Sequence, residues 1–176
     1  MDKPKSNLDF RLMSLQYKLR DFLLPRIEIL KEVGIKPGFI VLDYGCGPGS
    51  YLIPLAELVS ESGKIYALDI HPLAIKRVQR IASKGRLKNI ETILSDCKTG
   101  LPDNGVDVVL LYDIFHGLSE PQIVLEELHR LLKPNGILSF NDHHMKDSEI
   151  RTEVTARGFF KLFRKGERVY NFIKVC

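Results

Sequence analysis

Cysteine is scarce in this chain, with three in 176 residues, at positions 46, 97 and 176. Three scattered thiols cannot form the disulfide framework of a small secreted domain, so free thiols in a reducing cytoplasm are the expectation. No apolar stretch approaches the ~20 residues of a membrane span, and the polar segment from Met1 to Asn7 lacks the apolar core of a leader. No membrane partner is therefore expected. Runs of five basic residues, aromatic stacking motifs, internal repeats and low-complexity linkers are also absent. Nucleic acid is thus the less favoured partner, and no linker divides the chain. What remains is 44% hydrophobic and 27% charged, the balance of one ordinary globular domain. The net charge of +4 is uneven. Residues 1–36 carry eight Lys/Arg against five Asp/Glu, residues 146–176 eight against four, and the middle ten against thirteen. Two mildly basic ends flank an acidic centre.

Within that centre, Val41-Leu42-Asp43-Tyr44-Gly45-Cys46-Gly47-Pro48-Gly49-Ser50 has the layout of a strand, a tight turn and a helix start. Glycines admit a ligand close to the backbone, and a helix N-terminus offers unpaired N–H groups. The dinucleotide fingerprint G-x-G-x-x-G is met at Gly45 and Gly47. Ser50 occupies its third position, however, and the last glycine comes one residue early, at Gly49. Asp43 lies just before the loop. A carboxylate there repels a pyrophosphate but favours an amino group or a sulfonium. Asp69 ends the next apolar run, Lys64 to Ile70, 26 residues after Asp43. That interval holds a helix and a return strand, and an acid at such a strand end suits a ribose diol.

Together these segments resemble the class I S-adenosylmethionine-dependent methyltransferases, on the branch that includes quinone-biosynthesis and other small-molecule enzymes. The resemblance covers residues 37–176. It implies an α/β, Rossmann-like, doubly wound sheet of seven strands, mostly parallel, ending in an antiparallel hairpin. Asn89 to Asp96 would be the third strand, with Asp96 and the Cys97 backbone at the adenine by resemblance. Val106 to Phe115 would be the fourth, and the L-L-K-P-N-G-I-L run the approach to the fifth. The implied cofactor is S-adenosylmethionine, leaving as S-adenosylhomocysteine. Its candidate contacts are Asp43, Gly45, Cys46, Gly47, Gly49, Asp69, Ile70, Asp96, Cys97 and Tyr112.

Helix signals fill the intervals. Leu8, Leu12, Leu15, Leu19, Phe22 and Leu23 recur at helical spacing, Pro25 breaks that helix, and a short second one runs from Arg26 to Val33. With no place in the strand–helix alternation, residues 1–36 should lie on the sheet or cap the site. They read as packing helices, and the family resemblance also admits a lid with Phe10 or Tyr17 near the ligand. Ser119 to Gln122 has capping-box spacing before a helix running to about Leu132, which Lys133-Pro134-Asn135-Gly136 stops ahead of a strand from Ile137. Asp147 to Ala156 reads as a helix, and Phe159 to Arg164 with Val169 to Val175 as a hairpin.

The acceptor should sit beyond the fourth and fifth strands, where Asp113, His116 and Asn141-Asp142-His143-His144 gather three of the five histidines. His116 and His143 are the candidate general bases, because histidine titrates near neutral pH. No metal is assigned, although these residues include suitable ligand types. The Asn-Pro-Pro-aromatic motif of base and glutamine methylation is missing; Tyr112-Asp113-Ile114-Phe115 stands in its place. A small-molecule acceptor leads, with RNA or protein, or a non-catalytic S-adenosylmethionine-binding subunit, as alternatives. A large acceptor, a shallow site or a homodimer would each compensate for the lack of an inserted substrate domain.

Overall fold

The computed structural model describes Pro4 and residues 6–175. Seven strands form one sheet: β1 Ile40–Tyr44, β2 Lys64–Asp69, β3 Ile90–Leu94, β4 Val106–Tyr112, β5 Leu132–Asn141, β6 Phe160–Lys165 and β7 Tyr170–Lys174. Their order is β3-β2-β1-β4-β5-β7-β6. The first five run parallel, and β7 pairs antiparallel with both β5 and β6. The helices are α1 Asn7–Leu23, α2 Arg26–Lys31, α3 Leu52–Val59, α4 Pro72–Gly85, α5 Pro121–Leu131 and α6 Asp147–Thr155. This is the doubly wound sheet with a terminal hairpin that the resemblance implies. Among the described residues, no helix is long and apolar enough to cross a membrane.

The strands read as apolar runs because both sheet faces are covered. Leu42, Leu68, Val109 and Leu111 turn to one face, against Val124, Leu128 and Leu131 of α5 and Ile150 and Val154 of α6. Val41, Ile65, Val108 and Leu110 turn to the other, against Ile29 and Leu30 of α2, Leu52 and Leu55 of α3, and Val78 of α4. Strand order reverses between β1 and β4, which opens a crevice beyond their carboxyl ends.

Local signals hold with two corrections. Pro54 falls in the first turn of α3, where its missing N–H costs nothing. At α5 the N-cap is Glu120, with Pro121 in the first turn, so the helix starts one residue later than a Ser119 cap would set it. Proline's fixed φ suits the first helical position and sets that start. The fifth strand begins at Leu132, not Ile137. Leu132 pairs with Val106 and Ile137 with Val108, so β5 advances five residues while β4 advances two. The extra residues form a bulge at Pro134-Asn135-Gly136, where Asn135 is left-handed (φ 62°). The Phe22 side chain and Cys176 lie outside the described residues; Cys46 and Cys97 are free thiols.

A polar node ties α5 to the β3–β4 connection. Glu127 accepts from the Thr99 N–H (3.0 Å) and hydroxyl (2.7 Å) and from Arg130 (2.8 Å), and Arg130 in turn donates to the Leu101 carbonyl (2.9 Å) and Asp103 (2.5 Å). Burial pushes the Glu127 carboxyl up, but the bonds from Arg130 and Thr99 outweigh it and leave the group at about 2. The folded value lies below the unfolded one. Its stabilisation is therefore present above about pH 4.3 and is lost as pH falls toward 2. Glu127→Gln should cost about 2 kcal/mol at neutral pH and flatten that acid limb of urea-denaturation stability against pH.

Candidate active site

The carboxyl end of β1 carries Asp43, buried, and the chain then folds back over the end of β2. The N–H groups of Gly45 and Cys46 both donate to the Leu68 carbonyl, at 2.8 and 2.9 Å. Gly45 is left-handed (φ 79°), and a Cβ there would meet the Ile114 side chain at 2.8 Å. Gly49 (φ 83°) does not line the crevice. A Cβ at that position would crowd Val78 and Ile81 of α4, at 3.3 and 3.1 Å, so this glycine permits close helix packing.

Asp69 is the hinge of the loop. One carboxylate oxygen accepts the Gly47 N–H (2.8 Å), the other the His71 N–H (2.7 Å). Burial raises the Asp69 carboxyl, and the two backbone donors oppose that rise. His71 caps α4: its Nδ1 accepts the Leu73 N–H at 3.1 Å, so Nε2 carries the ring proton. Asp43 has no such support. Burial, with Asp69 nearby, pushes its carboxyl up to about 7.

These groups line a cavity of about 260 Å³. Its floor is the glycine loop with Asp43, Asp69 and Ile70. One wall is Tyr112 and the segment after β4, and the roof is α1, through Phe10, Met13, Tyr17 and Arg20. Phe10 stacks on His71 with ring centroids 4.5 Å apart. Tyr112 is fixed by a 2.8 Å hydrogen bond with the Ser139 hydroxyl. Three buried polar atoms of residues lining the cavity lack a partner among the described residues: Asp43 Oδ2, an acceptor, His71 Nε2, a donor, and the Ser50 hydroxyl. A buried orphaned acceptor and donor are costly unless a ligand completes them. An amino-acid nucleoside with an ammonium group and hydroxyls has that chemistry, so the residues fit S-adenosylmethionine.

Of the sequence candidates, Asp43, Gly45, Cys46, Gly47, Asp69, Ile70, Tyr112 and His116 line this cavity. Asp96 and Cys97 lie beyond it, after β3, where the Tyr44 hydroxyl donates to the Asp96 carbonyl at 3.1 Å.

The polar loops after β4 and β5 interlock. His116 Nδ1 lies 2.9 Å from Asp142, which also accepts the N–H groups of His116 and His144, at 3.0 and 3.1 Å. Burial pushes the Asp142 carboxyl up, yet the bonds from His116 and His144 hold it below the usual range. Asp142 is therefore an ionised acceptor, and Nδ1 of His116 is the donor. The second pair is crossed the other way, with His143 Nδ1 2.7 Å from Asp113. Arg20 of α1 also approaches Asp113, at 3.8 Å. His143 is largely exposed and borders a separate concavity beside α6 and the hairpin. Among the described residues, no three His, Cys, Asp or Glu side chains are grouped to hold a metal ion. Sequence reasoning passed over Met13 and Arg20 as lining residues and Asp142 as the partner of His116; the acid beside two histidines was the available signal.

A methyltransferase-domain family model matches residues 35–172. The chain belongs to this family. It is 31% identical over 127 residues to a demethylmenaquinone methyltransferase of Geobacillus stearothermophilus, covering 71% of this chain and 54% of that protein. A second demethylmenaquinone methyltransferase, from Geobacillus kaustophilus, is 28% identical over 135 residues, covering 76% and 57%. The chain thus spans about half the length of these curated relatives. A crystal structure of an S-adenosylmethionine-dependent methyltransferase from Aquifex aeolicus superposes with a TM-score of 0.78 at 30% identity, covering 92% of this chain and 97% of that one.

The raised Asp43 carboxyl has a measurable consequence. Its folded value lies above the unfolded one, so the folded state holds the proton more tightly. Stability without ligand should fall as pH rises from about 4 to about 7, by an amount on the order of a few kcal/mol. Asp43→Asn should remove that slope, read from denaturation midpoints across the same range.

Proposed function

We propose that the chain transfers a methyl group from S-adenosylmethionine to a small-molecule acceptor, with His116 as general base. The observation that carries this reading is one cavity containing both the orphaned Asp43 carboxylate and a histidine held by a buried carboxylate. Asp43 would take the ammonium group, the Gly45–Gly47 backbone the loop side of the ligand, and Asp69 the ribose diol. Asp96 and Cys97 remain the candidates for the adenine by resemblance. The cofactor, when bound, supplies a sulfonium-activated methyl group.

The protein's own part is alignment and proton removal. Holding acceptor and methyl donor in line supplies most of the acceleration in such a displacement. With Nδ1 committed to Asp142, His116 keeps Nε2 free to accept a proton from a hydroxyl, amine or activated carbon. Asp142 stays ionised and stabilises the imidazolium that results. His143 has the same kind of partner but faces the other concavity, so His116 is the better base. The α1 roof leaves room for a small acceptor, and the relatives named for demethylmenaquinone support that class. Free Cys46 and Cys97 support a reducing, cytoplasmic setting.

Calorimetry with S-adenosylhomocysteine tests the cofactor assignment. Micromolar binding is expected, lost in both Asp69→Ala and Asp69→Asn, and no binding by the parent protein would overturn it. A labelled methyl donor screened against metabolite and RNA pools tests the acceptor class, and label in RNA alone would overturn the small-molecule reading. With the acceptor in hand, His116→Ala should lower turnover by about 10²- to 10⁴-fold while leaving S-adenosylhomocysteine affinity unchanged. Asp142→Asn should lower it less and move the pH–rate profile.

A further inference from the structure

Six of the ten exposed large hydrophobic side chains among the described residues lie on or just after α1. Leu8, Leu12, Leu15, Leu19 and Leu23 are 55 to 67% exposed, and Leu24 is 58% exposed. At roughly 100° per residue, the five on the helix form one stripe, opposite the side that presents Phe10, Met13 and Tyr17 to the cavity. The helix is thus apolar on two faces, and the fold uses one. Single exposed leucines are ordinary, but a continuous stripe of this length exposes on the order of several hundred Å², the size that marks an interaction surface.

The charges beside the stripe differ between its two edges, with Asp9 exposed on one and Arg11 and Lys18 on the other. Arg11 and Lys18 are exposed on the same flank of α1. Lys18 and Arg77 border the same shallow concavity, together with Asp21. α4 itself carries Lys76, Arg77, Arg80 and Lys84 and no acidic residue, with Lys76, Arg80 and Lys84 exposed. An apolar stripe alongside a basic strip is the pattern of a helix lying in a bilayer interface.

We infer that α1 and α4 form a docking surface for an anionic lipid bilayer. The leucine stripe enters the boundary between headgroups and acyl chains, and the basic residues of α1 and α4 face the lipid phosphates. This contact is peripheral, so it does not conflict with the lack of a spanning helix among the described residues. A second copy of the chain fits the stripe less well. The spacing 8-12-15-19 is a heptad seam, but it is shorter than the three to four heptads expected of a coiled coil. Arg11 and Lys18 would also meet their own copies across an antiparallel pair. The inference does not depend on methyl transfer.

Flotation of the full chain with vesicles tests it. Vesicles of phosphatidylglycerol and phosphatidylcholine in equal parts should bind the protein about tenfold or more better than phosphatidylcholine alone, and added salt should weaken the binding. Leu12→Ser with Leu19→Ser should abolish flotation, and Lys76→Gln with Arg80→Gln should weaken it several-fold. Both double variants alter exposed side chains, so unchanged thermal midpoints and retained S-adenosylhomocysteine binding separate a lost surface from a lost fold or a lost cofactor site. Absence of flotation by the parent protein, or equal flotation by the leucine variant, would overturn the inference. A concentration-dependent dimer that the leucine variant dissociates, with no vesicle binding, would assign the stripe to a second copy and overturn it as well.

Discussion

Two carboxylates end adjacent parallel strands, and the site depends on how differently they are satisfied. Parallel pairing of β1 with β2 puts their carboxyl ends on the same edge of the sheet, so Asp43 and Asp69 are brought together by topology. Asp69 is answered by backbone N–H groups from Gly47 and His71, and those bonds set both the glycine loop and the entry to α4. Asp43 is left with a buried oxygen that no described residue completes. A buried carboxylate of this kind either takes up a proton or waits for a cation. The sheet core thus holds in place an electrostatic deficit that a cationic ligand would remove.

Much of this was legible in the sequence because parallel strands buried on both faces read as plain apolar runs, and each run here stops at an acid. The places where reading failed share a cause, long-range pairing overriding a local signal. Lys133-Pro134-Asn135-Gly136 carries every mark of a turn between helix and strand. The chain nevertheless pairs from Leu132, because β4 offers Val106 as a partner and the turn can be expelled as a bulge. At the start of α5, Ser119 and Gln122 have the right spacing for a cap, but Pro121 fixes the first helical position one residue later than that cap requires.

The first helix shows a different limit. Periodicity locates an apolar face without saying what that face meets. The strongest stripe in α1 is leucine, and the structure turns it outward. The face over the cavity is mixed, with Phe10 against His71 and Met13 and Tyr17 beside it, and a mixed face gives a weak periodic signal. Chemistry rather than hydropathy decides the orientation, since the stacked aromatic pair and the Arg20–Asp113 approach exist on that side alone.

The two histidine–aspartate pairs were visible as residue types but not as partners, because 26 and 30 residues separate their members. Only the pairing of β4 with β5, which sets Tyr112 beside Asn141, brings the two loops into register. Each loop then supplies the acid for the histidine of the other. The consequences differ because the acids differ. Asp142 is fully buried and takes three donors, so His116 is fixed against the cavity wall. Asp113 is partly exposed, sits at φ 55°, and divides its oxygens between His143 and Arg20 of the roof. A left-handed backbone in a non-glycine residue persists only where its surroundings hold it. Here the Asp113 N–H bond to the Asn141 carbonyl (2.8 Å) and the His143 contact do so. One loop residue therefore joins the helix that covers the cavity to the strand ends that line it, while the neighbouring acid holds its histidine at the cavity wall.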